Sequence, residues 1–167
     1  MKKYELTAES IVKFNKKLFR IKALVAFGNV EEGELGGFVE KEGNLDQSGN
    51  AWVSGDAWVS GDAMVSENAV VSGNAVVNGK AWVRENAEIF KTSHCLVVGP
   101  IGSRNDFTTF FRTKYLTIGV KCGCFKGDID QFFEAVEKTH GNNKHARAYK
   151  AAIALAKLQI DLSEYPL

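Results

Sequence analysis

The chain has 167 residues, of which 45% are hydrophobic and 25% are charged, and its formal net charge at pH 7 is +1. This length fits one compact domain with a small appended module, and the balanced charge offers no electrostatic attraction to nucleic acid or to an acidic membrane. No apolar run is long enough to span a membrane, and Met1 is not followed by the apolar core of a signal peptide. Three cysteines suit a reducing compartment without a disulfide framework, so a cytoplasmic protein is expected.

Residues 1–43 are predicted to form an N-terminal hairpin cap and a Gly-rich transition. Two apolar segments, residues 11–14 and 18–21, flank Asn15-Lys16-Lys17, which is typical of a hairpin turn. The glycines between Gly28 and Gly49 indicate a tight loop in which backbone approaches backbone. A phosphate-binding loop is disfavoured, because no Gly-Lys-Ser/Thr sequence follows.

From Asn50 to Ser103 the sequence repeats every six residues, as NAWVSG, DAWVSG, DAMVSE, NAVVSG, NAVVNG, KAWVRE, NAEIFK, TSHCLV and VGPIGS. The second position is small and the fourth is aliphatic or nearly so. Such a period is typical of a parallel β-helix, in which three hexads complete one turn and residues eighteen apart stack in columns. Because side chains alternate along a strand, the second and fourth positions both point inward. We therefore predict a β-helix over residues 44–103, with inner columns Val53/Val71/Ile89, Val59/Val77/Cys95 and Val65/Val83/Ile101.

The third hexad position points outward, yet its first six members are apolar. A continuous apolar surface of this kind is usually covered. Two alternatives remain open: the flanking segments of the chain cover it, or it forms the interface of a homo-oligomer, with a trimer preferred. The predicted interface residues are Trp52, Trp58, Met64, Val70, Val76 and Trp82.

Polar side chains concentrate directly after the repeats. Two guanidinium groups suit bidentate binding of phosphate or carboxylate, and hydroxyl and amide groups accompany them. The alternative is a polar turn that closes the last coil and leads into a strand with its aromatic residues inward. The candidate ligand-binding residues are Ser103, Arg104, Asn105, Thr108, Thr109 and Arg112.

Residues 104–167 are predicted to form a C-terminal module of one strand and two helices. Residues 116–124 alternate apolar and polar, as in a half-buried strand that turns Cys122 and Cys124 toward the core. The spacing of these cysteines is not that of a familiar zinc site, so neither a metal nor a cofactor is expected. Asp128 and Asn143 are placed to begin the two helices.

The segments 26–30 (AFGNV) and 33–39 (GELGGFV), followed by the Asn-Ala-x-Val repeats, resemble YdcK-like β-helix proteins of enterobacteria. The same N-terminal block, with Val97–Phe111 and Val120–Gly141, is similar to phage and prophage proteins. The resemblance covers most of the chain. It implies a left-handed β-helix and a phage setting, but no established activity.

Two further functional alternatives follow from that resemblance. Left-handed β-helices often belong to acyltransferases that use a histidine base, and His94 occupies a late outward position; a structural phage component is the other alternative. No Ser/His/Asp or paired-carboxylate arrangement is recognisable, and fold alone does not give function. The preferred hypothesis is a non-catalytic phage accessory protein of the bacterial cytoplasm. It would bind a host protein, as an inhibitor of host immunity for example, or sequester a small anionic, nucleotide-like signal.

Overall fold

A computed structural model describes residues 1–163 of the protein. The chain is mainly β, with several sheets and two helices. It divides into two compact units, of which the first is Met1–Thr92 and the second begins at Ser93. Within residues 1–163, no helix combines the length and the apolar character that a membrane span requires.

The first unit opens with the predicted hairpin. Strand β1 (Tyr4–Lys13) pairs antiparallel with β2 (Lys16–Ala23). Phe14 and Asn15 connect them with φ angles of 49° and 62°, the positive values that a type I′ hairpin turn requires. The hairpin is therefore confirmed, although its turn begins one residue before the predicted Asn15.

The Gly-rich segment contains a strand as well as loops. Strand β3 (Leu35–Val39) pairs antiparallel with β2. A Cβ on Gly36 would lie 2.5 Å from the Val53 carbonyl oxygen, and one on Gly37 would lie 2.5 Å from that of Ala57. The predicted close approach of backbone to backbone is confirmed. It occurs within strand β3 and not in a loop, because the residues that follow these glycines pair with β2.

The hexads form two-residue parallel strands, and each strand of the first four hexads pairs with the strand eighteen residues further on. These strands are β4 (Trp52–Val53), β5 (Trp58–Val59), β6 (Met64–Val65), β7 (Val70–Val71), β8 (Val76–Val77), β9 (Trp82–Val83) and β10 (Glu88–Ile89). They align as β4-β7-β10, β5-β8 and β6-β9, and β3 adds to the second set. The predicted columns are confirmed for Val53/Val71/Ile89, Val59/Val77 and Val65/Val83.

The hexad series ends earlier than predicted. Strand β11 (Cys95–Ile101) is seven residues long and pairs antiparallel with β12 (Asp106–Arg112), so that Cys95 faces Phe111. A 3-10 turn, Thr92–His94, precedes it. The prediction that Cys95 and Ile101 continue the inner columns is wrong. Ser93 and Gly99 satisfy the small-residue rule, but β11 continues through residues 96–98 and belongs to a new antiparallel sheet.

The outward apolar positions fall into two groups. Trp52 and Trp58 are only 3% and 8% exposed. Tyr4 and Phe27 contact the Trp52 ring edge-on, and Phe14 lies against Trp58. The N-terminal segment therefore covers both tryptophans, and they are not available to a second copy. Val76 is half-buried, whereas Met64, Val70 and Trp82 remain 36%, 36% and 37% exposed.

Polar side chains close the beginning of the hexad series, next to the start of β1. The Lys3 ammonium donates to the carbonyl oxygen of Ala51 at 2.9 Å, and it also contacts those of Ser48 and Gly49. Gln47 falls where the hexad pattern would place an aliphatic residue. Its side-chain oxygen accepts hydrogen bonds from the backbone N–H groups of Lys3 and Tyr4. The side-chain amide of Gln47 therefore takes the place of a backbone carbonyl on a neighbouring strand.

The second unit is a four-stranded antiparallel sheet with two helices on one face. After β11 and β12 come β13 (Ile118–Cys122) and β14 (Phe125–Asp128), in spatial order β11-β12-β13-β14. Helices α1 (Ile129–His140) and α2 (Lys144–Gln159) begin at the predicted caps, where Asp128 and Asn143 accept backbone N–H groups. Their shared core with the sheet includes Phe110, Ile118, Val120, Phe132, Val136 and Ala152.

We predict that Val71→Asp prevents folding, because Val71 is fully buried in the middle of a column and the new carboxylate would have no partner. Circular dichroism and gel filtration measure the outcome. The matched control is Val70→Asp, which should retain a cooperative melt by circular dichroism, since Val70 is the neighbouring residue on the outward face and is 36% exposed. A soluble Val71→Asp protein with a cooperative melt would contradict the inward assignment.

We predict that Lys3→Met lowers the free energy of unfolding by about 1–3 kcal/mol, because buried carbonyl groups lose their donor. Lys2→Met is the control, since Lys2 makes an exposed ion pair with Glu42 worth at most about 1 kcal/mol. Burial lowers the pKa of Lys3 to about 8. Between that value and its unfolded pKa of 10.5 the unfolded chain binds more protons, so the stability of wild type relative to Lys3→Met rises with pH. Equal urea midpoints for both lysine variants would refute this role.

Candidate functional site

A cavity of about 280 Å³ lies in the second unit, between two turns of its sheet and its two helices. One turn joins β11 to β12 and the other joins β13 to β14. The lining residues from the sheet and its two turns are Ser103, Arg104, Asp106, Cys122, Gly123, Cys124 and Phe125, and those from the helices are Phe132, Ala135, Val136, Thr139, His140 and Tyr149.

The turn between β11 and β12 brings a cation to the rim of the cavity. Gly102 and Asn105 have positive φ angles of 79° and 52°, and the Asn105 N–H donates to the Gly102 carbonyl oxygen at 3.1 Å. The tight turn leaves Ser103 and Arg104 exposed between them. Gly102 also passes close to α2, because a Cβ there would lie 1.8 Å from the Tyr149 hydroxyl oxygen.

The turn between β13 and β14 presents a thiol to that cation. Cys122 pairs with Phe125 across the turn, and Gly123 has a φ of 53°. Arg104 Nη1 donates to Cys124 Sγ at 3.5 Å. This hydrogen bond lowers the pKa of the Cys124 thiol, and the charges of Arg104 and Lys121 act in the same direction.

Aromatic rings form the floor of the cavity. Phe132 lies 5.2 Å from Phe125 and 5.5 Å from Tyr149, measured between ring centroids. The His140 ring stacks on Tyr149 at 5.9 Å. Burial raises the pKa of Tyr149 to about 12, so its hydroxyl stays protonated near neutral pH and is available as a donor.

Behind the floor, Cys122 belongs to a short polar chain. The Thr108 hydroxyl donates to Cys122 Sγ at 3.2 Å, and Cys122 Sγ lies 3.9 Å from the Tyr149 hydroxyl oxygen. Thr108 is fully buried and does not line the cavity. It orients the Cys122 thiol, which is half-buried, rather than meeting a ligand.

The six predicted ligand-binding residues do not form one site. Ser103 and Arg104 line the cavity, and Asn105 is exposed in the same turn. Thr108, Thr109 and Arg112 are buried in β12. Arg112 Nη2 donates to the Ser163 carbonyl oxygen at 3.2 Å, so this guanidinium has a structural role within the unit.

His94 is placed unfavourably for catalysis. It ends the 3-10 turn before β11 and is only 1% exposed, so it does not occupy the outward position that its hexad predicted. A general base must reach the proton that it abstracts, and a buried imidazole cannot meet a bulky acyl donor.

Several lining residues were not predicted from the sequence. Asp106 lies within the polar segment but was not among its predicted ligand-binding residues, and His140 and Tyr149 lie on helices whose apolar spacing indicates only packing. The sequence signal that could have located the cavity is the spacing of Cys122 and Cys124. Two residues apart in a strand pattern, they are expected on the same face. Across residues 1–163, no three His, Cys, Asp or Glu side chains are grouped so that they could hold a metal ion.

Comparison with known families identifies the repeats. Residues 57–73 and 71–85 match the family model of the YdcK β-solenoid repeat. This match lies in the middle of the hexads, where strands β5 to β9 pair in parallel, and it supports a YdcK-like family. No curated protein matches the chain.

We predict that Gly102→Ala lowers the free energy of unfolding by about 1–3 kcal/mol, because alanine strains the positive φ and its methyl group overlaps Tyr149. Thermal denaturation measures the change. Gly43→Ala is the control, since no atom lies within 4 Å of the added carbon and φ is not positive. Equal melting temperatures for the two variants would show that this turn does not contact α2 closely.

Proposed function

We propose that the protein is a non-catalytic binding protein whose C-terminal cavity takes a small anionic, nucleotide-like ligand. The observation that carries the proposal is Arg104, an exposed guanidinium at the rim of a cavity with an aromatic floor. A guanidinium binds phosphate through two parallel hydrogen bonds, and the neighbouring Ser103 hydroxyl adds a further donor.

The size of the cavity limits the ligand. At about 280 Å³ it lies just below the usual range of small-molecule sites, which occupy roughly 300–1,000 Å³. A mononucleotide or a smaller anion suits this volume, whereas an acyl-coenzyme A does not. This limit and the burial of His94 both disfavour the acyltransferase alternative.

The remaining polar groups favour a ligand that carries donors as well as negative charge. The Asp106 carboxylate lines the cavity near Arg104 and would repel a simple anion, but it can accept hydrogen bonds from a sugar hydroxyl or an exocyclic amine. Phe125, Phe132 and Tyr149 offer apolar surface for a ring. Together these groups match a nucleotide better than inorganic phosphate.

The hexads support a left-handed β-helix that assembles as a homo-oligomer, with a trimer preferred. Three two-residue strands per eighteen residues is the register of a triangular coil. After the N-terminal segment covers Trp52 and Trp58, the outward residues Met64, Val70 and Trp82 still expose apolar surface. These three residues are the proposed interface.

The proposed setting is the cytoplasm of a bacterial host, as a phage or prophage accessory protein. The resemblance of the N-terminal block to phage proteins and the three free cysteines support it. In that setting, binding of a nucleotide-like signal would withhold it from the host. The alternative is that the protein inhibits a host protein. Purification of the protein without a retained ligand would favour this alternative.

We predict that Arg104→Ala weakens binding of adenosine monophosphate about tenfold or more, because one or two charge-assisted hydrogen bonds are lost. Isothermal titration under reducing conditions measures the dissociation constant. Arg147→Ala is the matched control, since Arg147 is an exposed arginine of the same unit that does not line the cavity.

Native mass spectrometry of gently purified protein complements the titration by reporting subunit number and retained mass together. An oligomer carrying an anionic mass supports both parts of the proposal. Equal affinities for the two arginine variants, or no mononucleotide binding to wild type, would refute the cavity as an anion site. A monomer would refute the interface.

A further inference from the structure

We infer that Cys122-Gly123-Cys124 is a thiol–disulfide exchange site. In this reaction Cys124 attacks an anionic low-molecular-weight disulfide, and Cys122 resolves the mixed disulfide that results. This inference goes beyond ligand binding and does not require it. It concerns a covalent reaction of two side chains that line the cavity.

The two thiols differ in exposure, as such a division of labour requires. Cys124 is exposed at the rim, where a disulfide from solvent can reach it. Cys122 is half-buried, and it is held by the Thr108 hydroxyl at 3.2 Å. The outer thiol therefore meets the substrate first and the inner one is positioned behind it.

The backbone allows the two sulfur atoms to bond. Cα atoms two residues apart lie at most about 7 Å from each other, and disulfides join Cα atoms about 4.4–6.8 Å apart. Gly123, with a φ of 53°, bends the chain between the cysteines and shortens this span. A residue with a side chain would be strained there, and its Cβ would lie 3.0 Å from Arg104 Nη1.

Arg104 activates the outer thiol. Its guanidinium donates to Cys124 Sγ at 3.5 Å and stabilises the thiolate, which is the nucleophilic form. Lys121 on β13 adds positive charge, whereas Asp106, which lines the same cavity, opposes it. His140 on α1 faces the cavity as a further titratable group.

Cys95 provides an internal contrast. Burial raises the pKa of its thiol to about 12, and it does not line the cavity. It is therefore expected to remain an inert thiol under conditions in which Cys124 reacts.

The reaction balances with a disulfide as the oxidant. The Cys124 thiolate attacks one sulfur of R–S–S–R, forming a Cys124–S–R bond and releasing R–S⁻, which takes a proton from water. Cys122 then loses its proton and attacks Cys124 Sγ, expelling the second R–S⁻. The protein loses two electrons and two protons to form Cys122–Cys124, and the disulfide becomes two thiols.

The positive charge at the rim identifies the class of disulfide. Arg104 and Lys121 favour a substrate with carboxylates near its sulfur atoms, as in glutathione disulfide, over a neutral or cationic one. Glutathione disulfide is therefore the probe, and cystamine, which is cationic, is the charge-reversed comparison.

The test follows intact mass while reduced full-length protein reacts with glutathione disulfide. Wild type is expected to show a transient adduct of one glutathione on Cys124. Glutathione then leaves as Cys122–Cys124 forms, and the final mass is two hydrogen atoms below that of the reduced protein. Cys122→Ser should retain the adduct, Cys124→Ser should form neither product, and Cys95→Ser should behave as wild type. Cystamine should react more slowly than glutathione disulfide.

Arg104→Gln tests the activation separately. A tenfold smaller thiolate fraction slows exchange only about threefold, because nucleophilicity rises with pKa. We therefore expect a decrease of about threefold at pH 7 and a higher pH midpoint for alkylation of Cys124. An unchanged midpoint would overturn the role of Arg104.

The inference itself is overturned by any of three results. These are no adduct on wild type, equal adduct formation in Cys122→Ser and Cys124→Ser, or a stable wild-type adduct that never resolves. Binding of adenosine monophosphate is measured on reduced protein, so failure of the exchange reaction and failure of the anion proposal are distinguished.

Discussion

The narrow interior of the hexad region is the constraint on which the first unit depends. Ala51, Ala57 and the other alanines of the second position leave room for a single aliphatic column beside them, and the inner residues are almost completely excluded from solvent. Each two-residue strand is too short to be stable by itself, so stacking on the strand eighteen residues away provides both its hydrogen bonds and its apolar contacts. This dependence explains why the turns contain glycine: Gly55 and Gly73 have positive φ and lie one above the other.

A stack of short strands needs a closed beginning, and the N-terminal segment provides it with unusual chemistry. Lys3, Tyr4 and Gln47 replace aliphatic contacts with hydrogen bonds to carbonyl and N–H groups that a further coil would otherwise pair. The same segment buries Trp52 and Trp58, so part of the apolar surface that favoured an interface is covered within the chain. The outward apolar surface that stays exposed is smaller and consists of Met64, Val70 and Trp82. An interface at these residues is a proposal.

The second unit brings the polar groups of its cavity together because two turns of one antiparallel sheet meet at the same edge. The turn after β11 brings Arg104 and the turn after β13 brings Cys124, and neither sequence segment reveals the other. Helix α1 adds His140 and α2 adds Tyr149, whose hydroxyl lies against Gly102. The acidity of Cys124 and the exposure of Arg104 therefore result from tertiary contact. The polar segment 103–112 indicates that some of its side chains are accessible to a ligand, but it does not show which. More of them were predicted to be accessible than are exposed.

The sequence by itself determined the hexad columns, the hairpin, the two helix caps and the polar segment with Ser103 and Arg104. Each of these depends on residues close in the chain or on a strict period, so local chemistry is sufficient. Only the tertiary structure decided that the columns end before Cys95, that His94, Thr109 and Arg112 are buried, and that Arg104 meets Cys124. Pairing between distant strands determines these outcomes, and a single hexad-like segment such as 92–97 carries no signal that distinguishes a further coil from the first strand of a new sheet.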